Sequence, residues 1–141
     1  MHRSGRILTV ICGFVALAVM LGCSGSSEPA PRSTTVQTVS PAELEALVDG
    51  PEPPVVLDVR TAAEFEAGYI PGSVNIPLDE LAQRLAELDP NVPVACVCAT
   101  GYRSVEAAEL LVAEGFSPVL HLDGGVRGWT GEWEPDCPTC G

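Results

Sequence analysis

The chain has 141 residues, with 19 acidic side chains against 7 basic ones, every basic residue an arginine, and a formal net charge of −12. That length holds one ordinary domain, and a charge of that sign argues against nucleic acid or anionic lipid headgroups as electrostatic partners. Aromatic content of 5% excludes a stacking platform for single strands, and 46% apolar content excludes a disordered chain.

Residues 1–22 read as an export signal. His2, Arg3 and Arg6 form a basic head, and residues 7–21 are an uncharged apolar run. Such a run is shorter than the ~20 residues of a membrane span and suits a signal-peptide core. It stops at Leu21-Gly22-Cys23, which resembles the bacterial lipoprotein signal, whose cysteine is lipidated and becomes the new amino terminus. Met20 and Leu21 depart from that signal, which has Leu and a small residue there. The expectation is an exported protein of the bacterial cell envelope, held at a membrane by lipid on Cys23. Residues 23–35, rich in Ser, Pro and Gly, form the tether.

Strand and helix patterns alternate from Val36 to the closing turn. Val36 to Val39 suits a short strand, and Ser40-Pro41-Ala42-Glu43 is a capping box opening a helix to about Val48. Val55 to Val59 reads as a buried parallel strand. Thr61-Ala62-Ala63-Glu64 opens a second, short helix that Gly68 closes. Residues 73–76 suit another strand, and Leu78, Leu81, Leu85 and Leu88 make the apolar stripe of a helix. Residues 92–97 form a strand with Pro93 at its start, where no ladder donor is needed. Residues 104–114 make the clearest helix, and residues 119–122 the last strand before the turn at Gly124-Gly125. This alternation predicts an α/β domain with a parallel sheet and helices on both faces.

The chemistry-bearing segment is Cys98-Ala99-Thr100-Gly101-Tyr102-Arg103-Ser104. A strand delivers Cys98 to its carboxyl end, where open parallel sheets bind ligands. There the thiol faces successive backbone N–H groups and a helix amino terminus, which favour the thiolate. Gly101 lets the loop curl with its amides inward, and Arg103 can fork two oxygens of an anion. A thiolate in an anion-binding cradle suits attack on a sulfur or phosphorus centre bearing oxyanions.

The same segment resembles the rhodanese active-site pattern Cys-x-x-Gly-x-Arg-Ser. Leu57-Asp58-Val59-Arg60, the stretch from Glu64-Phe65 to Asn75-Ile76-Pro77, and Gly124-Gly125 with Trp129 resemble three further rhodanese motifs, in the family's order. The resemblance spans roughly residues 36–130. It implies a rhodanese-like three-layer fold, with five parallel strands between two helical layers. It also implies transfer of sulfane sulfur through a persulfide on Cys98, from a donor such as thiosulfate to cyanide or a thiol. The loop amides of Ala99, Thr100, Gly101, Tyr102 and Arg103 would hold the persulfide. No cofactor is implied. Tyr69 stands where the family has His, and the loop side chains bring no charge except Arg103, which predicts weak affinity for a dianion such as thiosulfate.

Several residues carry plainer readings. Cys96 reads as a small core residue, and a Cys96–Cys98 disulfide would stretch the allowed Cα separation. Asp58 and Arg60 read as a structural pair beneath the site, Glu64 as a cap, and Trp129 as a packing anchor. His121 reads as locally satisfied, and with His2 in the signal no His-rich metal site is expected. Residues 132–141 form an acidic tail in which Cys137-Pro138-Thr139-Cys140 is spaced for a local disulfide.

Three classes follow from this reading. A sulfurtransferase is the first. A phosphatase or arsenate reductase of related fold has a loop one residue longer between Cys and Arg. A non-catalytic binding or thiol-redox module would draw on the carboxyl-terminal cysteine pair and the weakly charged loop. The sequence names no protein partner.

Overall fold

The computed structural model describes residues 35–134. The expected signal, the tether up to residue 34, Cys23, Cys137 and Cys140 lie outside the described residues. Nine regular elements follow in chain order: β1 (Val36–Val39), α1 (Pro41–Val48), β2 (Val55–Asp58), α2 (Ala62–Glu66), β3 (Val74–Asn75), α3 (Leu78–Arg84), β4 (Val94–Val97), α4 (Tyr102–Ala113) and β5 (Val119–Leu122). The strands form one sheet in the order β1-β5-β4-β2-β3, with every pairing parallel. The expected five-stranded α/β fold is the one observed.

Alternation along β4 divides the core into two layers. Cys96 and Cys98 face α3 and α4, packing among Leu57, Val59, Leu81, Ala107, Ala108 and Leu111. Ala95 and Val97 face the opposite layer, with Leu44 of α1, Ile70, Leu122 and Trp129. Leu44, Leu81 and Leu111 are fully buried, and each such side chain contributes roughly 1.5–3 kcal/mol of transfer free energy. Trp129 is the anchor expected of it, with its indole N–H donating to the Glu132 carbonyl at 3.0 Å.

Both capping boxes form. The Ser40 and Thr61 hydroxyls accept from the Glu43 and Glu64 amides, and each glutamate reaches back to its cap. Several boundaries differ from the sequence reading, and β4 begins at Val94 rather than Val92 because Pro93 has no ladder donor. β3 is cut to two residues, because Pro77 ends it and the Asn75 side chain takes over the edge, donating to the carbonyls of Asp58 and Arg60. The leucine stripe tightens into a 3₁₀ turn at Leu85–Glu87, since Asp89 precedes Pro90 and disfavours a longer α-helix, yet Leu88 stays buried. α4 starts two residues early, because Gly101 caps it in a left-handed conformation with φ of 99°.

Candidate active site

Cys98 follows directly on the last residue of the central strand β4, and its loop turns into α4 within three residues. The loop is fastened from below by the turn after β5. The Val126 amide donates to the Cys98 carbonyl at 2.7 Å, and the Arg127 amide to the Ala99 carbonyl at 3.4 Å. Gly125 makes this approach feasible. Its φ is 64°, and a Cβ there would sit 2.5 Å from the Thr100 nitrogen and 2.6 Å from the Ala99 carbonyl carbon.

The curled loop aims its amides at the sulfur. Gly101 N–H and Ser104 N–H donate to Cys98 Sγ at 3.1 and 3.3 Å. In the thiol form Sγ donates to the Ser104 hydroxyl at 3.7 Å, while that hydroxyl donates to the Gly101 carbonyl at 2.9 Å. Burial alone would raise the thiol pKa, but the Ser104 hydroxyl and the amides of Thr100, Ser104 and Gly101 outweigh it, and the pKa falls below the ordinary thiol value. The hydroxyl must turn to serve the thiolate. The Gly101 and Ser104 amides need no rearrangement to serve it. Cys96, two residues earlier, is pushed up to about 12 by burial and then by the neighbouring Cys98 charge. Both cysteines are free thiols.

Arg103 closes the loop, but its fork is occupied. Its two terminal nitrogens donate to the two carboxylate oxygens of Glu64, each at 2.8 Å. The bidentate contact expected for an anion is therefore made within the protein. It pulls Glu64 down to about 2, chiefly through the Arg103 hydrogen bond. Sequence reasoning read Glu64 only as a cap, and nothing in the local pattern marked its second edge, which is spent on a residue 39 positions away.

Asp58 and Arg60 pair as expected. The Arg60 side chain donates to both Asp58 oxygens at 2.6–3.0 Å and to the Gly68 carbonyl at 2.8 Å, with both residues buried. This pair ties the end of β2 to the turn after α2. The carboxyl-terminal strap adds to the same corner: Trp133 lies 5.9 Å from the Arg60 guanidinium, and Tyr69 and Glu134 exchange backbone hydrogen bonds at 3.2 and 2.9 Å. Tyr69 also stacks on Phe65 at 4.3 Å. The sequence reading missed the strap, which lies past the last recognised motif.

The remaining loop residues supply backbone and little charge. Ala99 is half-buried, Thr100 and Tyr102 are exposed, and Tyr102 is 86% exposed. Among the described residues, no group of three or more His, Cys, Asp or Glu could hold a metal ion. The assembly is an amide-lined pocket around a thiol of lowered pKa, able to stabilise an anion formed on or next to Sγ.

Residues 40–132 match the family described as rhodanese-like domain. The chain is 34% identical over 110 residues to the Bacillus subtilis protein YrkF, covering 78% of this chain and 60% of that relative. It is thus similar to only part of that protein. It is 35% identical over 96 residues to the thiosulfate sulfurtransferase GlpE of Pseudomonas savastanoi, covering 68% of this chain and 89% of the relative. The crystal structure of a rhodanese-like domain protein from Staphylococcus aureus superposes with a TM-score of 0.67 at 31% identity, covering 72% of this chain and all of that one.

Proposed function

The chain belongs to the rhodanese-like domain family, whose members similar to it include named sulfurtransferases, and from that membership we propose that it transfers sulfane sulfur through Cys98. The observation that carries the reading is the pair of amides, Gly101 and Ser104, directed at a sulfur of lowered pKa. With thiosulfate as donor, the Cys98 thiolate attacks the outer sulfur, the donor S–S bond breaks, and sulfite leaves with the electron pair. The charge passes to the outer sulfur of the new persulfide. Cyanide or a thiolate then attacks that sulfur, the persulfide S–S bond breaks, and its electron pair returns to Cys98.

Each residue has a part in this scheme. The amides from Ala99 to Arg103 form the cradle, and Ser104 turns its hydroxyl toward the anion. Arg103 holds the loop against α2 through Glu64. Asp58 and Arg60 brace the adjoining strand end. Because Arg103 is engaged, donor charge is met chiefly by amide dipoles, and thiosulfate binds weakly. The loop of four residues between Cys98 and Arg103 fits a single sulfur anion better than a tetrahedral oxyanion. The reading also places the domain in the cell envelope, anchored by lipid on Cys23, with Cys137 and Cys140 oxidised.

The test is mass spectrometry of the protein treated with thiosulfate and then with cyanide. The expected result is one added sulfur on the Cys98 peptide, discharged as thiocyanate. Sulfur on another residue, or thiocyanate formed by a folded Cys98→Ser variant, would overturn the assignment.

A further inference from the structure

The ion pair that closes the Cys98 loop is held more firmly on its acidic side. Arg103 donates to both Glu64 oxygens at 2.8 Å. Glu64 Oε2 also accepts from the Thr61 backbone N–H at 3.1 Å and from the Thr61 hydroxyl at 3.0 Å. Those two bonds belong to the cap of α2. If Arg103 swings toward a bound anion, the carboxylate therefore stays where the cap holds it. Its charge is also permanent at neutral pH, because its pKa is about 2.

This fixed charge lies close to the reacting sulfur. Arg103 is raised above its ordinary pKa first by the Glu64 hydrogen bond, and the charge of Cys98 is among the further causes. The thiolate and the ion pair thus feel one another. Arg60, at the neighbouring strand end, is likewise spent on a carboxylate, that of Asp58. The groove in which Arg103 stands has Asp79 and Glu106 in its wall as well. A thiolate on Cys98 adds negative charge to a neighbourhood where these two guanidiniums are already matched by two carboxylates. Amide dipoles serve one anionic centre at short range. A second charge on the same donor finds neither guanidinium uncompensated.

We propose that Glu64 is a specificity-determining residue of this site, favouring organic sulfur donors of a single negative charge, of the thiosulfonate class, over dianions. This deepens the sulfurtransferase reading and rests on it. With methanethiosulfonate, the Cys98 thiolate attacks the outer sulfur, the donor S–S bond breaks, and methanesulfinate leaves with the electron pair. The donor's charge stays on the transferred sulfur, now the outer sulfur of the Cys98 persulfide.

The test compares the natural protein with Glu64→Gln and Arg103→Gln variants. Glutamine at this capping position still accepts from Thr61, so the first change removes the charge and keeps the cap. With cyanide as acceptor, kcat/KM is measured for methanethiosulfonate and for thiosulfate. The methanethiosulfonate-to-thiosulfate ratio should fall roughly fivefold in Glu64→Gln and rise in Arg103→Gln, and both shifts should shrink at high salt. A second arm needs no sulfur transfer. It labels Cys98 with iodoacetate and with iodoacetamide, which differ by one unit of charge, as the two donors do. The iodoacetate-to-iodoacetamide rate ratio should rise by a similar factor in Glu64→Gln and fall in Arg103→Gln. Ratios unchanged in Glu64→Gln, or moved in the same direction by both variants as a loosened loop would move them, overturn the proposal while leaving sulfur transfer intact. If Cys98 takes sulfur from neither donor but the labelling ratios shift as expected, the sulfurtransferase reading fails and charge selection by Glu64 stands.

Discussion

Cys96 and Cys98 stand two residues apart, on the same face of the same layer, and differ in almost everything chemical. Cys96 is inside β4, paired by register with Leu57 on one side and His121 on the other, and its backbone groups belong to the sheet. No donor among the described residues reaches its sulfur, so burial, helped by the neighbouring Cys98 charge, pushes the thiol up to about 12. Cys98 is one step past the last paired residue of β4. There the chain is free to curl, and the amides that a sheet would have used for pairing turn onto the sulfur. Reactivity follows in large part from where the ladder stops, because only past it do backbone amides reach a sulfur.

The largest test of this contrast removes each sulfur in turn. Cys98→Ser should lower thiocyanate formation by about a thousandfold or more, as expected when the nucleophile itself is lost. Cys96→Ala should leave the rate within about twofold and cost roughly 1 kcal/mol of stability for the small cavity, read by denaturant unfolding. Comparable loss of activity in two folded variants would break the distinction.

A second test leaves the sulfur and disturbs the turn beneath it. Gly125→Ala places a methyl against the Cys98–Thr100 backbone in a left-handed conformation. Turnover should fall by tens of fold, with destabilisation of about 1–3 kcal/mol. Full activity would show that the cradle does not depend on that contact.

Alkylation sharpens the comparison further. The midpoint of iodoacetamide labelling against pH should lie below the ordinary ~8.5 of a thiol for Cys98, and Cys96 should stay unlabelled through neutral pH in the folded protein. The smallest effect concerns Glu64. Its folded pKa, about 2, lies below its ordinary value of 4.5. The stability it contributes is present above about 4.5 and is lost as pH falls toward about 2. The ion pair is more than a third exposed on both sides, so solvent screening limits that contribution to about 1 kcal/mol or less. Glu64→Gln should remove this segment of the acid-unfolding curve and, by freeing the Arg103 fork for an anion, lower KM for an anionic donor by a few fold.

Much of the architecture was legible because local signals agree with the global fold. The capping boxes at Ser40 and Thr61, the β-rich run at Val55, and the glycines around α4 each state one local geometry, and each is realised. The position of Cys98 was legible for the same reason, since strand, thiol, glycine and helix follow one another directly in the chain. Contacts between distant segments were not. The Glu64–Arg103 fork, the Val126 amide on the Cys98 carbonyl and the Trp133 strap join positions far apart in sequence, and no periodicity encodes them. Boundaries shifted where a proline or a left-handed glycine overrode the pattern, as at Asp89-Pro90 and Gly101.

The order of the strands sets how the site breathes. β4 is hydrogen-bonded on both edges, by β5 and β2, whereas β3 contributes two residues at one margin and β1 stands alone at the other. Amide hydrogens of a central strand exchange only through the rarest and most extensive openings, while edge segments open locally at little cost. Cys98 therefore hangs from the middle strand of the sheet, and the turn that pins its loop follows the neighbouring β5. The β3 margin is held to β2 by a ladder of two residue pairs and by the Asn75 side chain. By this ordering, opening the rim costs less than opening the backbone beneath the sulfur.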